Sequence, residues 1–234
     1  MTAKEQKTDE EGRQIVVPGE TIVSGQDFLP GEGTKRDGDE IVAERYGIVE
    51  NSGKLVKVIP LSGVFIPRWG NVIIGQVTDI SFNGWMTDIN APYSSFLPVM
   101  EVPRFVDKKN LAEFLDIGDF FIAKISSVKQ KGIDLTLDGK GLGKLEKGMI
   151  IFINPNKVPR VIGKEGSMIK LIKDETNCKV TVGQNGVVWV KGESVDDELF
   201  AKKAINFVTD RSFVTGLTDK VKEFLDNEKK EMTK

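Results

Sequence analysis

Two glycines separated by two residues, Gly163 and Gly166, form the most informative local pattern in the sequence. The aliphatic pair Val161-Ile162 precedes the first glycine, and an apolar helical repeat begins at Ser167 after the second. Glycines at a junction between two helices expose backbone N–H groups and carry no side chain that would hold an anion away. The pattern therefore favours binding of phosphate groups rather than the making or breaking of bonds.

Basic side chains surround the two glycines. Between residues 155 and 173 five basic residues stand against one acidic residue, a local charge of +4. The basic residues are Lys157, Arg160, Lys164, Lys170 and Lys173, and the acidic one is Glu165. Glu165 lies between the glycines and would repel a phosphate that it faces. The alternative interpretation is a solvated basic face beside a helix start.

The overall composition excludes most catalytic chemistry. The chain has 234 residues, 33 basic and 35 acidic, with a formal net charge of −2, no His and one Cys. Neither a Ser-His-Asp nor a Cys-His nucleophile system can be built without histidine. One cysteine cannot supply a thiolate zinc site or an intrachain disulfide. We expect no catalytic residue, no metal and no cofactor, and the cysteine content suits a reducing compartment, the cytoplasm.

A membrane partner is not expected either. No apolar run reaches the roughly 18 residues that a transmembrane helix needs. The start of the sequence, Met1 to Lys7, is polar and does not have the pattern of a signal peptide.

Turn residues and changes of hydrophobic period divide the chain into six segments. The glycine-rich stretch 29–38 is interpreted as a mobile loop, since it lacks the ending of a phosphate loop. The predicted segments are a disordered tail (1–13), an N-terminal β domain (14–68), a second β domain (69–138), a linker (139–148), an α+β domain (149–212), and a C-terminal helix and tail (213–234).

The second β domain has the strand pattern of a small closed barrel. A long apolar run over 71–80 is followed by Asn83-Gly84, a strong hairpin signal, and by a returning strand at 85–89. Three further short runs complete a set of five strands, which fits the OB-fold. Ser194 then predicts the start of a helix in the α+β domain, because three acidic residues follow it. The fold class is multidomain, mainly β, with an α+β C-terminal domain.

The α+β domain resembles the KH domain in its eukaryotic-type order, on the run from Val161 to Ile172 and its β-α-α-β-β-α context. KH domains clamp about four nucleotides of single-stranded nucleic acid with this loop. The resemblance implies RNA contacts at Arg160, Ile162, Gly163, Lys164, Gly166 and Lys170.

The barrel is similar to the S-one type of RNA-binding OB-fold, on the stretches 75–80, 82–85, 96–98 and 117–125. In such folds exposed aromatic rings stack on bases, at roughly 1–3 kcal/mol per base, and basic loops hold the backbone. The resemblance implies RNA contacts at Phe82, Trp85, Tyr93, Arg104 and Lys108. Packing in the barrel core stays an open alternative for Phe82 and Trp85.

A small β domain, an S-one barrel and one KH domain, in this order over residues 14 to 225, resemble the RNA-binding cap subunits of the archaeal exosome, of the Rrp-four type. The distinctive stretches include 16–20, 58–63, 157–164 and 216–219. The resemblance implies a non-catalytic subunit that captures single-stranded RNA. Three copies, alone or mixed with another cap subunit, would sit on a hexameric ring of RNase-PH-like subunits. The RNA 3′ end would be fed inward for 3′-to-5′ degradation or tailing.

Three alternatives remain at this stage. A transcription-elongation factor of the Nus A type also places an S-one barrel before KH modules, but it normally has two KH domains. A polynucleotide phosphorylase fragment would carry the two domains in the reverse order. A purely structural subunit would dock on the ring without touching RNA.

Overall fold

The computed structural model describes residues 13–104, 106–107, 110–212, 214 and 216–232. The predicted disordered tail and the predicted RNA contact Lys108 thus lie outside the described residues, apart from Arg13. The chain divides into two compact units, one up to Gly63 and one from Val64 onward.

From residue 13 onward, where the structure describes it, the first unit consists of seven short strands in two sheets. One sheet has the order β1-β6-β7-β3 and the other β2-β5-β4. The strands are β1 (Ile15–Val16), β2 (Thr21–Ser24), β3 (Leu29–Pro30), β4 (Thr34–Asp37), β5 (Glu40–Ala43), β6 (Gly47–Ser52) and β7 (Leu55–Pro60). Val16, Ala43 and Val58 form its small core. The interpretation of 29–38 as a mobile loop is wrong, since β3 and β4 both lie there and pair with β7 and β5.

The second unit begins with a closed five-stranded barrel, which confirms the predicted OB-fold. Its strands follow the order β12-β10-β9-β8-β11, and β12 pairs back to β11 to close the sheet. They are β8 (Val72–Ser81), β9 (Gly84–Asp88), β10 (Ser95–Pro98), β11 (Phe120–Lys129) and β12 (Gly132–Thr136). A short 3-10 turn (Val99–Glu101) and the helix α1 (Leu111–Phe114) connect β10 to β11.

Alternation along the strands places one set of barrel side chains inside. Trp85, Leu97 and Phe121 are fully buried there, together with residues of β8 and β12. The hairpin turn at Phe82-Asn83 requires Gly84, because a Cβ at that position would lie 2.1 Å from the carbonyl oxygen of Leu97. The residues beside them in each strand face outward. Some of these, such as Ile74 and Ile122, pack against residues of the later strand Val187–Lys191.

The predicted linker is partly attached to the barrel. Within it, Gly143–Lys144 form β13, which pairs with β11. Lys144 forms an ion pair with Asp119 at the start of that strand. The glycine and lysine content of this segment predicts a free linker. Backbone pairing instead holds part of it against the barrel.

The rest of the second unit is the KH domain, with the predicted β-α-α-β-β-α order. Its strands form an antiparallel sheet of order β14-β16-β15, and four helices share one hydrophobic core with this sheet. The elements are β14 (Met149–Phe152), α2 (Val158–Ile162), α3 (Ser167–Thr176), β15 (Lys179–Val182), β16 (Val187–Lys191), α4 (Val195–Asp210) and a further helix α5 (Leu217–Met232). Ser194 caps α4 as predicted, accepting from the Asp197 backbone N–H at 3.1 Å. No helix in the described ranges is long and apolar enough to cross a membrane.

The tip of the β15–β16 hairpin joins the KH domain to the barrel. The Asn185 side chain is fully buried; its Oδ1 accepts from the Ile74 N–H at 3.2 Å, and its Nδ2 donates to the carbonyls of Ile74 and Ile89, both at 2.8 Å. Pairing between β8 and β9 begins only at Gln76 and Asp88, so Ile74 lies beyond that ladder. The amide of Asn185 thus takes the place of a neighbouring strand and fixes the KH domain on the barrel.

Candidate nucleic-acid interface

The G-x-x-G loop connects α2 to α3 and has the geometry that requires glycine. Gly163 has φ +76° and Gly166 has φ +79°, both in the left-handed region. The Gly163 N–H donates to the Pro159 carbonyl at 2.9 Å and closes α2. A Cβ on Gly163 would lie 2.7 Å from the backbone nitrogen of Met168, whereas one on Gly166 would meet only Ile169, at 3.8 Å. The first glycine is required for packing, and the second keeps the loop open toward solvent.

The predicted KH residues lie along this one segment. Arg160 is exposed in the last turn of α2, Lys164 is exposed inside the loop, and Lys170 is exposed one turn into α3. Ile162 is half-buried and packs at the edge of the KH core, as does Ile169 of α3. The structure therefore presents an apolar strip beside a basic loop, which suits a base and its phosphate together.

Glu165 is the unusual residue of the loop. Its φ of +54° and ψ of +27° place it in the left-handed region, which is costly for a residue other than glycine, asparagine or aspartate. Its carboxylate is exposed to solvent. The loop thus carries both backbone strain and a negative charge at the place where phosphate binding is predicted.

On the barrel, the structure leaves two of the predicted aromatic rings at the surface. Phe82 at the β8–β9 turn is 76% exposed, and Tyr93 in the loop before β10 is 50% exposed. Tyr93 lines a shallow cavity of about 350 Å³, together with Met86 of β9. These positions are compatible with the predicted stacking on bases.

The prediction that Trp85 stacks on RNA is wrong. Trp85 is 0% exposed, and its indole N–H donates to the Leu115 carbonyl at 2.8 Å. Its ring packs against Phe114 with centroids 5.6 Å apart. The residue belongs to the barrel core because it faces the same side of β9 as the buried Thr87, one pleat period further along.

A second cavity of about 190 Å³ contains residues that the sequence reasoning missed. Its lining includes Met86, Phe96, Lys129, Lys131 and Asp134, with Met86 shared by both cavities. Met86 and Phe96 are paired across β9 and β10, directly beside the core pair Trp85 and Leu97. This period-two alternation is the signal that could have identified them, since the neighbour of a buried residue in a strand faces outward.

The structure does not place the two predicted basic residues of the barrel beside these cavities. Arg104 lies with its guanidinium carbon 4.5 Å from the centre of the Phe114 ring, and it lines neither of the two cavities. Lys108 is outside the described residues. The basic groups beside the cavity are instead Lys129 and Lys131, at the turn between β11 and β12.

The titratable groups with shifted pKa values do not form a reactive site. Burial acts to raise the pKa of Asp119, but hydrogen bonds from Lys144 and from the Asp116 backbone N–H outweigh it, so that the pKa lies below its usual 3.8. Burial raises the pKa of the Cys178 thiol. Within the described ranges, no group of three or more potential metal ligands comes together.

Comparisons with known proteins agree with this architecture. A family described as the KH domain matches residues 148–207. The chain is 46% identical over 216 residues to exosome complex component Rrp4 of Methanothermus fervidus, covering 91% of this chain and 95% of that relative. It is 43% identical over 219 residues to Rrp4 of Picrophilus torridus, covering 93% of this chain and 94% of that relative.

A solved structure supports the same assignment. A crystal structure described as an exosome complex RNA-binding protein superimposes with a TM-score of 0.66 and 32% identity, over 73% of this chain and 99% of that one. The identities and the coverage extend across both units of the fold. The chain therefore belongs to the Rrp4 family of exosome complex components.

Proposed function

We propose that the chain captures single-stranded RNA as a non-catalytic cap subunit and feeds the RNA 3′ end into a hexameric ring of RNase-PH-like subunits. Three copies, alone or with another cap subunit, would sit on the ring in the cytoplasm. The ring would supply the 3′-to-5′ degradation or tailing chemistry. No observation favours the transcription-elongation alternative.

The observation that supports the capture step is the open glycine turn from Gly163 to Gly166. Its glycines adopt positive φ, and the side chains of Arg160, Lys164 and Lys170 are exposed beside it. The buried amide of Asn185 connects the KH domain to the barrel. Two surfaces in one compact unit, each suited to a single strand, can hold one strand at two places. The relatives named as exosome components supply the context for the ring.

Charge reversal at Lys164 tests the capture step. Lys164→Glu should weaken binding of single-stranded RNA and reduce the slope of log affinity against log salt by about 1, because one phosphate contact is lost. Lys222→Glu on α5 is the matched control, since that lysine is also exposed but lies far along the sequence from the loop. A substitution at Gly163 would instead strain the packing against Met168 and confuse binding with folding. Equal affinities for the two variants would contradict RNA binding at the KH loop.

Co-expression with RNase-PH-like ring subunits tests the cap role. Native mass measurement should show the ring gaining mass in steps of 25.9 kDa, one for each cap chain, and stopping after three steps. A chain that purifies free of the ring under these conditions would contradict the cap proposal. Retention of RNA binding in that case would leave the capture step intact.

A further inference from the structure

Trp69 stands apart from the other two tryptophans of the chain. It is 74% exposed, whereas Trp85 is 0% and Trp189 is 6% exposed. Tryptophan is the side chain with the largest apolar area and is highly buried on average. A ring held this far into water therefore calls for an explanation by a ligand or by mobility.

Mobility is not the explanation, because the two residues that follow Trp69 are hydrogen-bonded to β11 of the barrel. The Gly70 N–H donates to the Ile125 carbonyl at 2.9 Å, and the Ile125 N–H donates to the Asn71 carbonyl at 2.8 Å. Within the turn, the Asn71 side chain accepts from the Arg68 N–H at 2.9 Å. The indole is thus presented on a fixed support and costs little ordering when it binds.

A cation lies beside the exposed ring. The ammonium nitrogen of Lys124 in β11 is 5.4 Å from the centre of the Trp69 ring, within cation–π range. Gly70, which follows the tryptophan, has φ +83°, a backbone conformation that favours glycine in this turn. An aromatic surface with an adjacent positive charge matches the base and the phosphate of one nucleotide.

The position along β11 connects this pair to the barrel face. Lys124 precedes Lys129, which lines the cavity with Phe96, by five residues in the same strand. At about 3.3 Å per residue the two lysines are roughly 17 Å apart. One OB barrel accommodates about 4–16 nucleotides of single-stranded nucleic acid, so one strand can reach both places.

We propose that Trp69 and Lys124 form an additional stacking subsite that takes one nucleobase of single-stranded RNA and its phosphate. This subsite rests on the proposed RNA-capturing function and extends the barrel face beyond the positions that the S-one resemblance implies. An exposed indole could also serve as a protein contact. The adjacent cation favours a nucleotide over a protein surface, because the ammonium group can hold the phosphate of a base that stacks on the ring.

Tryptophan fluorescence gives a direct reading of the subsite, because Trp85 and Trp189 are buried. Titration of the full chain with an oligoadenylate of about 16 nucleotides should quench the emission of Trp69 by stacking. Trp69→Phe should abolish the quenching while keeping most of the affinity. Trp69→Ala should weaken binding about five-fold, the lower end of the range for one base–aromatic stack, and Lys124→Gln should weaken it less.

Ile117→Ala is the matched control, since it removes an exposed apolar side chain from the turn that precedes β11. It should leave both affinity and quenching unchanged. If the wild type binds RNA with no quenching and Trp69→Ala binds equally well, the subsite is refuted while RNA capture stands. If Trp69→Ala instead loses the ring subunits on co-purification, Trp69 is a protein contact and the subsite is refuted. If the wild type binds no RNA at all, both proposals fail.

Discussion

Replacement of Asn185 by alanine tests whether one side chain holds the KH domain on the barrel. The substitution removes three hydrogen bonds and leaves the Ile74 N–H, the Ile74 carbonyl and the Ile89 carbonyl without those partners. Each buried polar group left unpaired costs about 1–3 kcal/mol. Because some water can enter the vacated space, we expect a loss of about 3–5 kcal/mol in the free energy of unfolding.

Urea unfolding followed by circular dichroism and by tryptophan emission measures this loss. Trp189 packs with Ile74 and Val187 between the two domains, so its emission should change at lower urea in the variant. Gln184→Ala is the matched control in the same hairpin tip. Its Oε1 accepts from the Val72 N–H at 2.8 Å at an exposed site, and losing that bond should cost at most about 1 kcal/mol. Equal losses for the two variants would refute the reasoning.

The same variant has a consequence for RNA. An RNA of about four nucleotides fills the KH loop alone, whereas a longer RNA can reach both the KH loop and the barrel. Loss of the fixed connection should lower the affinity for the longer RNA more than the affinity for the short one. Anisotropy titrations with the two lengths measure the difference. A proportional change for both lengths would mean that the two surfaces act independently.

Four further predictions follow from individual side chains. Trp85→Ala should cost about 3–5 kcal/mol in urea unfolding, and the fraction that stays folded should bind RNA like the wild type. Glu165→Asn, which removes a charge and tolerates the left-handed backbone, should raise RNA affinity a few-fold in low-salt anisotropy, and an unchanged value would mean that the carboxylate faces away. The lowered pKa of Asp119 contributes stability above its usual 3.8 that is lost as the pH falls through the folded value. Asp119→Asn should therefore reduce the acid dependence of unfolding below about pH 4, by at most about 1 kcal/mol, as measured by urea unfolding across pH. The Cys178 thiol, with its raised pKa and its bond to the Thr176 carbonyl at 3.3 Å, should react with a disulfide reagent only slowly until urea unfolds the chain.

The KH loop was predictable from the sequence because its chemistry depends on backbone conformation. Only glycine fits the positive φ of Gly163 with Met168 so close. The presence of glycine at this position therefore indicates the backbone conformation directly. The cap of α4 at Ser194 was predictable for a similar reason, since its partner Asp197 is three residues away. Such local interactions need no knowledge of the distant chain.

The barrel face was predicted less well, because an aromatic residue in a strand can face either the core or the solvent and its type alone does not distinguish the two. Trp85 and Phe82 were equal candidates in the sequence, and the structure buries the first and exposes the second. Closure of the barrel decides this, because it fixes the register of β9 against β8 and β10. The lysines beside the cavity were missed because they come from a hairpin that follows β10 by about thirty residues in the printed sequence.

The sequence by itself determined the order of the three folded parts, the G-x-x-G loop of the KH domain and the absence of histidine chemistry. These properties depend on residue type and on neighbours within a few positions. The tertiary structure decided that the predicted linker carries a strand of the barrel sheet, that Asn185 joins two domains, and that Trp69 is the exposed tryptophan. Each of these depends on contacts between segments far apart in the chain, where burial and hydrogen-bond pairing are set by packing rather than by local propensity.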